Sequence, residues 1–325
     1  MGKVVLVTGV SDSFATLVAR NLADEPTIDK VVGVDTVLPD GDLTGVKFVR
    51  ADIRTPVIGK VIAVEDVDTV VHLDLSPQVR GRGGGKELNV IGTMQLLAAC
   101  QRSSVVSKLV LGSSTAVYGS SSRDPALFRE STSARGGVRS GFPKDIVEVE
   151  AYVRGFARRR PEVLITTLRA AHLLDADHFS PLGQYFRSAL LPAALGYDPR
   201  LQFVHVQDLL EILVESVRKD RPGTFNVAGD GVVLLTQVAR RLGRPVVPVP
   251  PFGFASGARR VLRSVGSDIS PDLHRLLMYG RAVDTSALRD IFGFEPTYST
   301  AQVVEQFRAA IRPGVLSGLG GEAHE

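Results

Sequence analysis

The sequence has one cysteine in 325 residues, so no internal disulfide can form and no thiolate cluster is available to hold a metal. Cys100 lies in the apolar run LLAAC of an expected helix and reads as core; no metal site is expected. Long apolar runs are also missing. No stretch reaches about 18 residues without a charge or a turn residue, which argues against a membrane-spanning helix. The N-terminus runs straight into a strand pattern with no charged-then-apolar leader, so a cytoplasmic location is expected. Charge of one sign is lacking too: 38 basic against 35 acidic residues leave a net +3, scattered along the chain, which gives nucleic acid no basic patch to bind. The one dense run, Arg158 to Arg160, falls at an expected helix end, where cations complement the helix dipole. There is no internal repeat.

What is present is an alternation. Short apolar, β-branched runs occur at VVLVTG (4–9), VVGVD (31–35), KFVRAD (47–52), DTVVHL (68–73), KLVLGSS (108–114) and VLITTLR (163–169). Helical spacing of apolar residues fills 13–24, 86–102 and 143–159. Strand–helix alternation of this kind predicts an α/β fold with a doubly wound parallel sheet of Rossmann type, covered on both faces. The second half is rich in Gly and Pro. It carries two further expected strands, LQFVHV (201–206) and TFNVA (224–228), a helix at 207–219, and helices at 235–242, 271–279, 285–292 and 299–311. We expect residues 1–173, with 201–228 returning to them, to form a dinucleotide-binding-type domain. Residues 174–200 and 229–312 would form a smaller C-terminal substrate domain, and 313–325 a flexible tail.

A dinucleotide fold needs a tight glycine turn between its first strand and first helix. One glycine makes the turn, a second admits the pyrophosphate, and a third lets helix and strand pack closely. Here the turn reads Thr8-Gly9-Val10-Ser11-Asp12-Ser13-Phe14-Ala15, and only Gly9 remains. Asp12 occupies the second position and Ala15 the third. As an N-cap, Asp12 would fill the anion site with a protein carboxylate. Asp35 ends the second expected strand, where an acid can bind ribose hydroxyls and favour NAD over NADP.

Several segments, in order over about 300 residues, resemble the extended short-chain dehydrogenase/reductase family, in its NAD-dependent epimerase/dehydratase, UDP-glucose 4-epimerase-like branch. They are VTG (7–9), Asp35, ADIR (51–54), VVHL (70–73), NVIGT (89–93), SSTAVYG (113–119), LRAAH (168–172), FVHVQDL (203–209), FNVAG (225–229) and Asp284 with FGFEP (292–296). The resemblance implies NAD as cofactor, a nucleotide sugar as partner and a homodimer through the helices at 86–102 and 143–159, which carry Met94, Val147, Val149 and Val153. It implies that Thr8, Gly9, Ser13 and Phe14 line the pyrophosphate and that Asp35 holds the ribose. Asp52 and Ile53 would flank the adenine, Leu73 and Asn89 would lie along the cofactor, and Ser114 would bond the substrate oxygen.

The sequence departs from that pattern where the chemistry sits. The family's Tyr-x-x-x-Lys acid/base pair aligns with Phe142 and Ile146, with Glu150 in register later in the helix. Phenylalanine has no proton to transfer and isoleucine carries no charge. Lys144, two residues from Ile146, points about 200° away around the helix. Tyr152 lies deep in the helix, with Phe156 four residues on. The expected reading is a degenerate member that binds or regulates, with NAD binding weakened or lost. The alternative is an enzyme of altered chemistry, an epimerase with another acid or a cofactor-independent proton-transfer or cyclisation enzyme, using Asp74, Ser114, Tyr118 or His172.

Overall fold

A computed structural model describes residues 2–77, 86–132, 141–178, 180–252, 257–258 and 270–314. The last eleven residues of the expected tail lie outside them. Six strands, β1 (Lys3–Thr8), β2 (Ile28–Asp35), β3 (Val46–Arg50), β4 (Thr69–His72), β5 (Lys108–Ser114) and β6 (Leu164–Ala170), join the strand Gly223–Val227 in one seven-stranded sheet. From the edge the order is Gly223–Val227, β6, β5, β4, β1, β2, β3. The pairs of β1 with β2 and β4, of β2 with β3 and of β4 with β5 are parallel. The strand order reverses between β1 and β4. Ligands of doubly wound folds gather outside the strand ends at such a point.

The chain divides into two compact units. The first comprises Met1–Val117, Val138–Arg169 and Leu209–Phe225. Its core sets Leu6, Val32, Val70, Leu109 and Leu111 from the strands among Leu96, Val149, Val153 and Phe156 from the helices. Helix α1 (Ser13–Ala23) buries Ala15, Val18, Ala19 and Leu22; of the apolar residues whose spacing predicts it, Val18 and Leu22 are buried, whereas Phe14 and Leu17 are only partly so. Helix α2 (Val57–Val64) is one the sequence did not suggest, because five of its eight residues are Val or Ile. Its buried set, Ile58, Val61 and Ile62, nevertheless has helical spacing. The helix expected over 86–102 is π-helical at Glu87–Gly92 before α3 (Thr93–Arg102). The close of that helix uses the basic run in an unforeseen way. Arg160, past the end of α4 (Gly141–Arg159), donates to the carbonyls of Cys100 and Ser103 at 2.9 Å, and so caps α3 rather than its own helix.

The second unit comprises Tyr118–Gly137, Ala170–Asp208 and Asn226–Glu325. Tyr185, Phe186, Phe203, Leu276, Leu277 and Phe307 are central to its core. One expectation fails here, and one strand pair was not foreseen. LQFVHV is not one strand: Arg200–Leu201 pairs with Val233–Leu234, and Phe203–Val204 pairs with His172–Leu173. Gln202 breaks it, because its side chain takes over the ladder, accepting from Val283 N–H (2.8 Å) and donating to Gly229 O (3.1 Å). Conversely, the proline-rich stretches hold a pair of parallel strands, Leu191–Ala194 with Val246–Val249. Pro192 and Pro248 are tolerated because a two-stranded sheet has only edges.

Candidate functional site

The turn after β1 is built as a closed protein structure. Gly9 has φ +80°, and a Cβ there would sit 2.9 Å from Asp74 Cα and 3.0 Å from Asp74 N. Only glycine fits, because the backbone after β4 crosses directly over it. Asp12 is the N-cap of α1 and accepts from Phe14 N–H at 3.0 Å. Asp35, at the end of β2, accepts from Ser11 N–H (2.9 Å) and Thr36 N–H (2.6 Å). Two carboxylates thus take N–H groups of the segment in which a phosphate would rest on the helix N-terminus. Ser13 is exposed on the first turn, and Ala15 is buried against the strand.

Beneath the turn lies a buried relay that sequence reading passed over. Thr8 Oγ1 lies 2.8 Å from His72 Nδ1, and His72 Nε2 lies 2.8 Å from Thr93 Oγ1. The Thr93 hydroxyl donates to Asn89 O at 2.5 Å, so its oxygen accepts from His72 Nε2–H and the Thr8 hydroxyl donates to Nδ1. Thr8 Oγ1 also accepts from Leu73 N–H (3.2 Å) and Asp74 N–H (3.3 Å). The neutral ring therefore ties β1, β4 and α3 together. Burial pushes the His72 pKa down to about 4 from the ordinary 6.5. With the folded value below the unfolded one, the unfolded chain binds the extra proton, so stability is complete above pH 6.5 and declines as pH falls towards 4. Between pH 7 and 5 this removes about 2 kcal/mol. Urea unfolding at the two pH values should show the loss, and H72Q should reduce it; an unchanged pH dependence in H72Q would remove His72 from the account.

The remaining expected cofactor positions each have protein neighbours or partners. Asp52 holds Arg54 in a two-pronged pair (2.9 and 2.7 Å), and Arg54 keeps the Asp52 carboxyl below its usual range. Ile53 is buried, and a Cβ on Gly92 would meet its Cδ1 at 2.8 Å. Leu73 fills the space over Gly112 in the same manner. Asn89 is buried and anchors the loop after β4: it accepts from Ser76 N–H and donates to Ser76 O and Asp145 Oδ2, each at 3.0 Å. Asp145, another residue the sequence did not single out, has its carboxyl raised by burial, an effect the Asn89 hydrogen bond opposes. Asp74 adds its charge to the field at Arg54. Ser114 Oγ accepts from Ala116 N–H at 3.1 Å.

On α4, Phe142 is partly exposed and Ile146 is fully buried. Lys144 pairs with Glu148 across one turn at 3.6 Å, as a surface lysine does. Glu150 is buried and receives Arg169 Nε (2.9 Å), Arg169 Nη2 (2.6 Å) and the Ser113 hydroxyl (2.7 Å). Val149 and Val153, expected on a dimer face, belong to the core, while Ile91, Met94 and Tyr152 are exposed.

Two candidates fall in the second unit. Tyr118 is buried, donates to Asn226 Oδ1 at 2.7 Å and stacks on Phe128 with ring centroids 4.7 Å apart. Asn226 donates in turn to Phe128 O and Asp284 O, so the phenol is a structural staple. His172 Nε2 is buried with no hydrogen-bond partner among the described residues, and burial, helped by the Arg281 charge, pushes its pKa down to about 3. Among the described residues no group of three His, Cys, Asp or Glu is placed to hold a metal ion, and no helix is long and apolar enough to cross a membrane.

Residues 5–228 match the model of the NAD dependent epimerase/dehydratase family. Uncharacterized proteins of Mycobacterium tuberculosis and Mycobacterium bovis are 40% identical over 314 residues, covering 94% of this chain and 83% of theirs. Among solved structures, dTDP-glucose 4,6-dehydratase of Bacillus anthracis in complex with NAD superposes with a TM-score of 0.71 at 17% identity, covering 95% of this chain and 96% of that one. UDP-glucose 4-epimerase of Thermotoga maritima with UDP-glucose gives 0.70 at 16%, covering 94% and 98%. At such identities the likeness is one of fold.

Proposed function

The chain belongs to the NAD dependent epimerase/dehydratase family, and from that premise we propose that it is a binding or regulatory homologue of nucleotide-sugar type that has given up the family's hydride chemistry. The observation that carries this reading is α4. Where a phenol and an ammonium would exchange and steady a proton stand Phe142 and a fully buried Ile146. Neither side chain can hold or move a proton.

The glycine turn supports the same reading. The residues present do not suit a dinucleotide pyrophosphate, because Asp12 takes Phe14 N–H and Asp35 takes Ser11 N–H. A pyrophosphate would have to displace a carboxylate of its own sign, and like charges a few ångströms apart repel by kcal/mol amounts once partly desolvated. NAD⁺ up to millimolar concentration is therefore expected to leave the Tm of the native chain unchanged. D12G should cost only a few tenths of a kcal/mol as a cap while freeing the N–H, and its Tm should then rise with the logarithm of NAD⁺. A native chain stabilised by NAD⁺ would overturn the loss of the cofactor site.

The nucleotide sugar remains the partner class this reading favours, and a homodimer through the exposed Ile91, Met94 and Tyr152 is part of it. The alternative of altered chemistry loses one of its groups at Tyr118, whose hydroxyl is committed to Asn226.

A further inference from the structure

In the first unit, the end of the sheet opposite the glycine turn carries a cleft of its own. Asp66 precedes β4 and Val105 precedes β5, and both strands run parallel to their neighbours, so these residues stand at the N-terminal end of the strands. There α2 and the end of α3 border a cleft of about 520 Å³, whose lining includes Gly59, Lys60, Asp66, Ala99, Arg102 and Ser104. That is room for a small molecule.

Three charges line this cleft, and none is paired. Lys60, Arg102 and Asp66 have no hydrogen-bond or ion-pair partner among the described residues. Along α2, no acid lies three or four residues from Lys60. Arg102 ends α3, where a cation would ordinarily serve the last carbonyls, but Arg160 already holds those of Cys100 and Ser103. The Arg102 guanidinium instead reaches α2 at the residue before Lys60: its Nη2 would be 3.5 Å from a Cβ on Gly59.

Two of the lining residues also cost the fold stability. Glycine inside a helix is destabilising relative to alanine. A Cβ on Gly59 would meet Arg102 Nη2 at 3.5 Å and Ala99 Cβ at 3.6 Å, both ordinary contacts, so alanine would fit. Asp66 has φ +54° and is the one left-handed residue other than glycine among those described. It follows the C-cap of α2, where glycine is the usual occupant. Residues that break a local rule with no packing reason gather at functional sites. Here the missing Cβ leaves room beneath a guanidinium, and the left-handed residue adds a carboxylate to the same cleft.

We infer that this cleft binds a phosphorylated polyhydroxy compound of the sugar-phosphate class, at a site separate from the glycine turn. A phosphomonoester carries close to two negative charges at neutral pH, which one guanidinium and one ammonium match. The Asp66 carboxylate repels a bare anion but accepts from hydroxyl groups, so inorganic phosphate alone is the poorer ligand. The inference does not rest on the nucleotide-sugar reading.

Thermal unfolding of the full chain at pH 7 and constant ionic strength tests it, with glucose 6-phosphate, ribose 5-phosphate, inorganic phosphate and glucose as probes. At least one sugar phosphate should raise the Tm with the logarithm of its concentration. Inorganic phosphate should bind at least fivefold more weakly, and glucose should have no effect. R102M and K60M should each weaken the sugar phosphate at least tenfold. D66G should weaken it at least fivefold while strengthening inorganic phosphate. G59A should weaken it at least tenfold. G59A and D66G should nevertheless raise the Tm of the unliganded chain, so their loss of binding cannot come from loss of the fold. No response of the native chain to either sugar phosphate at millimolar concentration, or a response that R102M and K60M leave unchanged, would overturn the site. Equal binding of inorganic phosphate and the sugar phosphates would overturn the polyhydroxy class.

Discussion

Glu150→Ala is expected to lose about 3–5 kcal/mol of unfolding free energy, a large fraction of the 5–15 kcal/mol typical of a domain. Glu150 on α4 and Arg169 on β6 are both more than nine-tenths buried and meet through two hydrogen bonds, with the Ser113 hydroxyl as a third donor. Removing the carboxylate leaves a desolvated guanidinium facing the core. The exposed Arg154, 3.6 Å from Glu150, supplies no replacement acceptor. Much of the cost is this orphaned charge rather than the worth of the pair, so the double variant E150A/R169M should be less damaged than the sum of its singles, with a coupling of more than 1 kcal/mol. E150Q, which keeps an acceptor, should fall between E150A and the native chain. Urea unfolding of the native chain, E150A, R169M, E150A/R169M and E150Q measures all of this. Strictly additive singles would mean that the pair is not the unit holding α4 against the sheet.

The same pair illustrates what the sequence discloses. The register of Glu150 with the helix was legible, but that Arg169 lies opposite it on β6 is a fact of tertiary packing. Strands survive such reading well where β-branched residues are bounded by turns: β5 begins and ends at the expected residues, 108 and 114. Reading fails where one side chain alters the local rule. Gln202 supplies ladder hydrogen bonds from its amide and splits a strand. The Val/Ile density of α2 conceals a helical stripe. At the site, substitutions are visible against the family pattern, which is why Phe142, Ile146 and Asp12 stood out. Groups whose meaning is their burial are not. His72 reads as one polar residue in an apolar run until its two threonine partners are placed. Tyr118 reads as a possible acid until its hydroxyl is found in the core.

The second large effect concerns the seat of the absent lysine. Ile146→Lys is expected to destabilise the chain by about 4 kcal/mol or more, since Ile146 has no solvent exposure and a fully buried lysine can have its pKa depressed by 3–5 units. Glu150, one turn further along α4, is already committed to Arg169 and so is not free to neutralise the newcomer. The sign of the pH dependence identifies the cause. The folded pKa of the new amine lies below its unfolded value near 10.4, so the unfolded state holds the extra proton between the two, and the penalty should shrink as pH rises from 7 towards 10. F142Y, at a partly exposed position, should by contrast change stability by less than about 1 kcal/mol. It follows that F142Y/I146K should be folded only marginally and should not convert UDP-glucose to UDP-galactose in the presence of NAD⁺. On the proposed reading the core is closed over the position of the lysine, since Ile146 has no exposure, and reinstating the residue types alone is expected not to reopen it. A double variant as stable as the native chain and active as an epimerase would mean instead that the place stayed open and only the two side chains had changed.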